Sequence, residues 1–309
     1  MQTTMSKLLL GTSLVVGTGL AYTALRPTPA AGSKMFSSFR LPTSLELESV
    51  EQVSHNVKKF RFKLPEGVSA GFPMTSALLA ITFPSQSWIP VIRPYTPISS
   101  PSTPGYLEFM IKRYPSGKSS EHLHSLRPGS NVLFAGPISG PKYDPKFGHV
   151  TLIAGGTGLT PCYQLMRHIL KDNPLETNTN ANTNNKNSTS LSSSSSSSAT
   201  QIPTKITLVI GANTIGDILL KSEFDEWEKK YPDRLEIHYC ISKPEGGPER
   251  PRGGLDKAFL EKTVFEPKSE SSAVYLCGPP GMEESLAGKR RKGGVLEDLG
   301  FKKDRIFVF

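Results

Sequence analysis

Apolar and polar positions alternate in short runs through the first half of the chain. In "VKKFRFKL", Phe60, Phe62 and Leu64 alternate with Arg61 and Lys63, the period of a half-buried strand. "SALLAITF", "GYLEFMIKRY" and "NVLFAG" are further short runs of this kind, separated by turn signals, from about Ser44 to Pro137. Strands at this spacing predict a small antiparallel barrel, interrupted by one short helix at about Lys118 to Ser125. After Tyr143 the pattern changes. "VTLIAG", "ITLVIGA", "LEIHYCI", "AVYLCG" and the terminal "RIFVF" are continuous apolar runs separated by helical segments. Continuous runs mark strands buried on both faces, and β/α alternation predicts a parallel sheet with right-handed crossovers. "DILLKSEFDEWEKKY" is the clearest helix, with Leu220, Phe224 and Trp227 as its core stripe. The expected organisation is a leader and linker over 1–43, a barrel over 44–143 and an α/β domain over 144–309. An irregular insertion over 174–204 contains "NTNANTNNKNSTSLSSSSSSS", which cannot bury a core and is expected to be disordered.

The N-terminus differs in kind. The eighteen residues from Leu8 to Leu25 carry no charge. As a helix they span about 27 Å, just short of a bilayer's hydrocarbon core. Lys7 precedes them, Arg26, Lys34 and Arg40 follow, and no acid appears before Glu46. This reads as a targeting or anchoring leader, with a removed secretory signal as the alternative. The long run ending in "RPTP" favours a retained or slowly cleaved anchor.

Composition narrows the chemistry. Apolar content of 37% and charged content of 20% describe a soluble globular protein with polar inserts. A net charge of +9 suits nucleic acid, anionic lipid, an acidic protein or a phosphorylated ligand. Cys162, Cys240 and Cys277 form neither a CxxC pair nor an ordinary iron–sulfur set, and no metal site is expected.

Four stretches carry candidate chemistry. "RPYTPISS" begins at Arg93 as a stiff, proline-punctuated strand edge. Alternation would place Arg93, Tyr95 and Pro97 on one side, to meet a ligand with phosphate and a flat ring; an edge strand with a surface arginine is the plainer reading. "IAGGTGLTP" joins a buried strand to a helix. Gly155, Gly156 and Gly158 permit close approach and positive φ, with Thr160 as N-cap and Pro161 at N1, so that the helix N-terminus meets an anion. The alternative is an ordinary glycine turn. "YLCGPPGM" ends another buried strand, at the carboxyl edge where open parallel sheets bind ligands. Cys277 there is either a small buried hydrophobe or a neutral group facing a redox ring. In "IKRYPSGKSSEHL", Gly117, Ser119 and Ser120 would offer amides and hydroxyls at a second helix N-terminus, with Lys112 and Lys118 adding charge. His122 and His124 lack metal-ligand spacing and read as structural.

These motifs, in this order and with the terminal "FVF", resemble the ferredoxin–NADP reductase superfamily and, within it, the NADH–cytochrome b5 reductases. The apolar leader and "KYPDRLEIHYCISKP" look most like the fungal mitochondrial form. The resemblance runs from about Leu45 to Phe309, apart from the insertion. It implies a β barrel domain plus an α/β domain: a six-stranded antiparallel flavin-binding barrel, then a five-stranded parallel Rossmann-like nucleotide-binding sheet. It implies an enzyme with FAD and NADH as cofactors, passing hydride from NADH to FAD and single electrons to cytochrome b5 or another acidic haem protein, with no nucleic-acid partner. For FAD it implies Arg93 on phosphate, Tyr95 against the isoalloxazine and Thr96 near its reactive edge. Pro97, Ile111, Lys112 and Tyr114 would lie nearby, Gly117, Lys118, Ser119 and Ser120 would cradle pyrophosphate, and Thr160 would stand where flavin and NADH meet. For NADH it implies Gly155, Gly156, Thr157, Gly158, Cys277, Gly278, Pro279 and Pro280. No side chain is expected to act as acid or base; Cys277 and Thr96 would lie near the hydride. The implied location is the mitochondrial outer membrane or intermembrane space, with the endoplasmic reticulum membrane as the alternative.

Asp217 is the first acid beyond the second parallel strand, where dinucleotide sheets often meet the adenosine ribose. Its position suits that role and equally suits a helix cap; the family resemblance implies the first, with Asp217 at the NADH site and NADH favoured. Departures from the family pattern are Ser119 where methionine is usual, "GGL" at Gly253 to Leu255, and the basic "GKRRKGG" from Gly288. Two other functions suit parts of the chain. One is the reductase component of an oxygenase system; the other is a membrane-tethered NAD(H)-binding sensor without turnover.

Overall fold

The alternating half of the chain folds into six strands: β1 (Arg40–Ser54), β2 (Val57–Lys63), β3 (Ser76–Thr82), β4 (Val91–Tyr95), β5 (Tyr106–Lys112) and β6 (Asn131–Ser139). The computed structural model describes residues 29–84, 89–170, 203–244, 254–289 and 292–309. The uncharged leader, the Asn/Ser tract, Gly253 and the two arginines of "GKRRKGG" lie outside the described residues. The chain divides into two units, Met1–Ser139 and Gly140–Phe309.

In the first unit the strands pair antiparallel in the order β4-β3-β6-β1-β2-β5. β1 is long enough to pair with both β6 and β2, and its register shifts near Arg40, Leu47 and Gln52 bend it between them. Just past β4, the Ile98 amide donates to the Glu108 carbonyl of β5 (2.9 Å), and the Glu108 amide donates to Ser99 Oγ (3.0 Å). These bonds link the ends of the outermost strands and curl the sheet toward a barrel. Its core is aromatic. Phe62 meets Phe134 edge-on at 4.9 Å, and Phe109 stacks on Phe134 at 5.2 Å between centroids. Helix α1 (Lys118–Ser125) sends Leu123 into this core, and His124 Nε2 bonds the Ile111 carbonyl at 2.8 Å.

The expected linker before Ser44 is part of this unit. Met35 and Phe36 are buried in the barrel core. Their amides donate to the Ser69 and Ala70 carbonyls at 2.9 and 2.7 Å, and the Gly32 amide donates to Gly67 at 2.8 Å. Composition suggested a linker; non-local pairing makes this segment a plug.

The second unit contains β7 (His149–Gly155), α2 (Leu159–Leu170), β8 (Lys205–Ala212), α3 (Lys221–Lys230) and β9 (Leu235–Ile241). Then follow α4 (Lys257–Thr263), β10 (Ser272–Cys277), α5 (Pro280–Ala287), α6 (Val295–Leu299) and β11 (Ile306–Val308). The sheet is parallel throughout, in the order β11-β10-β7-β8-β9. All of β7 is buried, as its continuous apolar run requires. Helix α3 starts later than expected. Leu220 is its left-handed N-cap (φ 58°) and is off the buried stripe, which Phe224 and Trp227 form against Tyr163. Among the described residues no helix is long and apolar enough to cross a membrane.

The plug makes a prediction about truncation. Protein lacking residues 1–28 keeps the barrel core, whereas protein lacking 1–43 loses Phe36 and the first part of β1. The shorter protein is expected to be less stable by at least about 3 kcal/mol, the scale of emptying a buried phenylalanine site. Thermal melting of the two side by side checks this; equal melting temperatures would contradict it.

Candidate functional site

Two loop clusters hold the candidate residues, one in each unit. In the first, β4 and the start of α1 come together. Tyr95 is partly buried, and its hydroxyl lies 3.4 Å from Ser119 Oγ. Burial pushes the phenol above its usual pKa. Ser119 also accepts from Thr82 Oγ1 at 3.1 Å. The "RPYT" and "GKSS" motifs therefore share one corner, joined through a buried serine. Arg93 is exposed on β4, with its guanidinium donating to the Ile92 carbonyl at 2.8 Å. Strand geometry ends at Tyr95, so the expected alternation does not reach Pro97, which is buried.

The turn into α1 is built for close approach. A Cβ on Gly117 would lie 2.5 Å from Ser120 Oγ and 3.0 Å from the Tyr114 carbonyl, so only glycine fits there. Ser120 Oγ donates to the Gly117 carbonyl (3.0 Å) and accepts from the Tyr114 amide (3.1 Å). Both serine hydroxyls thus brace the turn, and what the turn can offer an anion is its helix N-terminal amides and dipole. Lys118 is exposed beside them, and Lys112 reaches to 6.0 Å from the half-exposed Tyr114 ring. Thr96 is partly buried next to Tyr95. Ile111 is a core residue, its side chain buried and its carbonyl bonded to His124.

The second cluster lies beyond the carboxyl ends of β7 and β10. Strand order reverses between these neighbours, which is where open α/β sheets bind nucleotides. Of the loop glycines here, only Gly156 has positive φ (57°), and a Cβ there would meet nothing within 4 Å. Gly158 is needed for another reason: a Cβ would fall 2.3 Å from the Cys277 carbonyl oxygen and 2.8 Å from the Gly278 nitrogen. Gly155 is hemmed in likewise by Met282 Sδ at 2.7 Å and Pro279 at 2.9 Å. The two loops are pressed together at a separation side chains would prevent.

The helix entrance also differs from expectation. A 3-10 turn, Gly156–Gly158, precedes α2, so Thr160 lies inside the first helical turn rather than at its cap. Its hydroxyl donates to the Thr157 carbonyl at 3.1 Å. Pro161 is consequently the third residue of α2, where its missing amide still costs no helix bond. Gly278 donates its amide to Glu283 Oε1 (3.0 Å), which fixes the turn carrying exposed Pro279 and Pro280. Cys277 is partly buried at the mouth. Burial, with the Glu283 charge nearby, pushes its thiol up to about 12. It is a neutral group at physiological pH and no nucleophile.

Asp217 ends a 3-10 turn beyond β8. Its Oδ2 accepts from the Thr214 amide (3.0 Å) and hydroxyl (2.8 Å), a capping box. It caps that turn, not α3. Sequence reasoning missed Thr82 and Glu283. An acid just inside a Pro-started helix is a signal that could have found Glu283; nothing local marks Thr82. Among the described residues no group of His, Cys, Asp or Glu could hold a metal.

A barrel with an anion-ready corner and a parallel sheet with a dinucleotide crevice define a class. Residues 44–143 match the family described as oxidoreductase FAD-binding domain, and residues 152–287 the oxidoreductase NAD-binding domain. The chain is a flavin- and nicotinamide-binding oxidoreductase. It is 38% identical over 301 residues to NADH-cytochrome b5 reductase 2 of Pyricularia oryzae, covering 91% of this chain and 82% of that one. The protein of the same name from Candida glabrata is 39% identical over 286 residues, covering 89% and 86%. The cytochrome b5 reductase domain of Ulva prolifera nitrate reductase superposes with a TM-score of 0.69 at 28% identity, covering 91% of this chain and all of that one. The CS-b5R domains of human Ncb5or share the fold, with a TM-score of 0.67 at 24% identity over 87% of this chain and 69% of that one. This chain belongs to the fungal NADH–cytochrome b5 reductase family.

The thiol makes a prediction. Iodoacetamide should modify Cys277 roughly a thousandfold more slowly at pH 8 than an unperturbed cysteine, because the thiolate fraction is that much smaller. The rate should still rise about tenfold per pH unit from 8 to 10. Peptide mass spectrometry of timed samples reads it, and a plateau by pH 9 would contradict the assignment.

Proposed function

We propose that the chain takes hydride from NADH onto FAD and releases electrons singly to a haem protein, cytochrome b5 or another acidic one. The observation that carries this reading is the pair of glycine-shaped loops, at Gly117 in the barrel unit and at Gly156–Gly158 beside Cys277 in the sheet unit. They stand on the two domains that match flavin- and nicotinamide-binding families. The names of the curated relatives support the choice of NADH and of cytochrome b5.

The residues fit both cofactors. Gly117 lets the turn fold tightly against Tyr114 and Ser120, Lys118 and Arg93 bring positive charge, and the start of α1 supplies amides for a pyrophosphate. Tyr95, held at its hydroxyl by Ser119, offers a ring face, and Thr96 a polar group beside it. The open space over Gly156 admits a nucleotide's phosphates. When bound, FAD supplies the conversion between two-electron and one-electron chemistry. The protein binds and orients the reactants, and the neutral Cys277 fills space at the mouth without taking a proton. Asp217, held by Thr214, fixes negative charge beyond β8, where it would disfavour a 2′-phosphate and so favour NADH. The net charge of +9 steers an acidic partner.

The uncharged leader and the family resemblance support anchoring in the mitochondrial outer membrane or exposure to the intermembrane space. The endoplasmic reticulum membrane is the alternative. Anaerobic NADH is expected to bleach the visible flavin band of the purified holoenzyme, and oxidised cytochrome b5 to restore it while becoming reduced. A flavin band that NADH leaves unchanged would overturn the enzymatic reading and leave an NAD(H)-binding sensor.

A further inference from the structure

The barrel sheet carries apolar residues on its outer as well as its inner face. In β3 the inner positions Leu78 and Ala80 are buried, yet the outer positions Leu79 and Ile81 are apolar too and only partly covered. An antiparallel sheet facing water on one side alternates apolar and polar. Cross-strand register extends this outer strip. Ile81 pairs with Ile92 on one side and Leu133 on the other, and Ala77 pairs with Ile138. Ile92 and Ile138 are 44% and 41% exposed. At the Ile138 end the strip meets the start of β1, where Arg40 pairs with Gly136. There Phe39 and Leu41 are 65% and 51% exposed.

In chain order the uncharged leader comes shortly before these residues. Leu25 closes that run, and Gly32 is already hydrogen-bonded to Gly67. Seven residues reach at most about 25 Å. Phe39 and Leu41 follow three and five residues after the buried Phe36. A membrane that holds the leader therefore holds Gly32 within that radius, and Phe39 and Leu41 follow Gly32 by seven and nine residues. Arg26, Lys34 and Arg40 lie along this stretch, charges that suit an anionic headgroup layer.

We propose that the end of the barrel bearing Phe39, Leu41 and Ile138 rests in the interface of a lipid bilayer, so that the flavin-binding unit lies on the membrane rather than hanging from it. This rests on the reading of the leader as an anchor. A second copy of the chain or another protein could cover the same residues, and the test separates them.

The full-length holoenzyme is reconstituted in phosphatidylcholine–phosphatidylserine vesicles with doxyl-labelled acyl chains. An environment-sensitive fluorophore is attached at pH 7 to Leu41→Cys, Ile138→Cys or, as a distant control, Glu51→Cys. Unchanged NADH–ferricyanide activity in each variant confirms the fold. The lipid quencher is expected to quench the first two labels at least twofold more than the control. Bound protein with equal quenching at all three positions overturns the surface while leaving the anchor intact. Protein that fails to float with vesicles overturns both. Shielding of Leu41→Cys and Ile138→Cys that rises with protein concentration and not with quencher assigns the surface to a protein partner and overturns the lipid reading.

Discussion

The proposed nucleotide site depends on one backbone contact. Gly158 sits so close to the Cys277 carbonyl that a single methyl group would fall 2.3 Å from its oxygen. That contact presses the loop after β7 onto the loop after β10, the two strands where sheet order reverses. Everything at the mouth follows from it. Gly155 is packed by Met282 and Pro279 because the loops are close, and Glu283 can reach the Gly278 amide because the turn is held. Cys277 is drawn into a half-buried position where its thiol stays protonated. Gly156, the glycine with nothing over it, is left open to a ligand.

The barrel unit has a smaller counterpart. Ser119 is buried between Thr82 and Tyr95 and ties the edge strand to the start of α1. The edge strand alone would be a poor platform, since Pro94 within it has no amide to donate. Tyr95, packed against the barrel core with its hydroxyl 3.4 Å from Ser119 Oγ, steadies that strand. Ser119 makes a polar bridge between the two elements.

The central parallel strands β7, β8 and β10 were legible because strands buried on both faces must be apolar throughout, and the edge strands β9 and β11, only partly buried, were legible from shorter apolar stretches in the same β/α alternation. The barrel strands were legible from Phe60, Phe62 and Leu64. What stayed hidden is non-local. Met35 and Phe36 are two apolar residues in a Pro/Ser/Ala-rich stretch, and their partners, Ser69 and Ala70, lie in a distant loop. The need for glycine at position 158 comes from a carbonyl 119 residues further on (277 − 158), which no local motif records. Thr160 and Leu220 were misassigned for a shared reason: a 3-10 turn or a left-handed residue inserted before a helix shifts every cap position. Asp217 was ambiguous in sequence, and its bonds to Thr214 identify it as a cap without removing its charge from beyond β8.

The contact at Gly158 can be tested by adding one carbon. Gly158→Ala should fold and retain FAD, because the change lies in the sheet unit, while the two loops are forced apart. NADH affinity, read in rapid mixing as the NADH concentration that half-saturates the rate of flavin reduction, should be weakened at least about tenfold, the scale of overpacking by one methyl group against backbone. Wild-type NADH affinity in a variant that melts like the parent would show that the loops need not be this close and that NADH binding does not depend on the Gly158 contact.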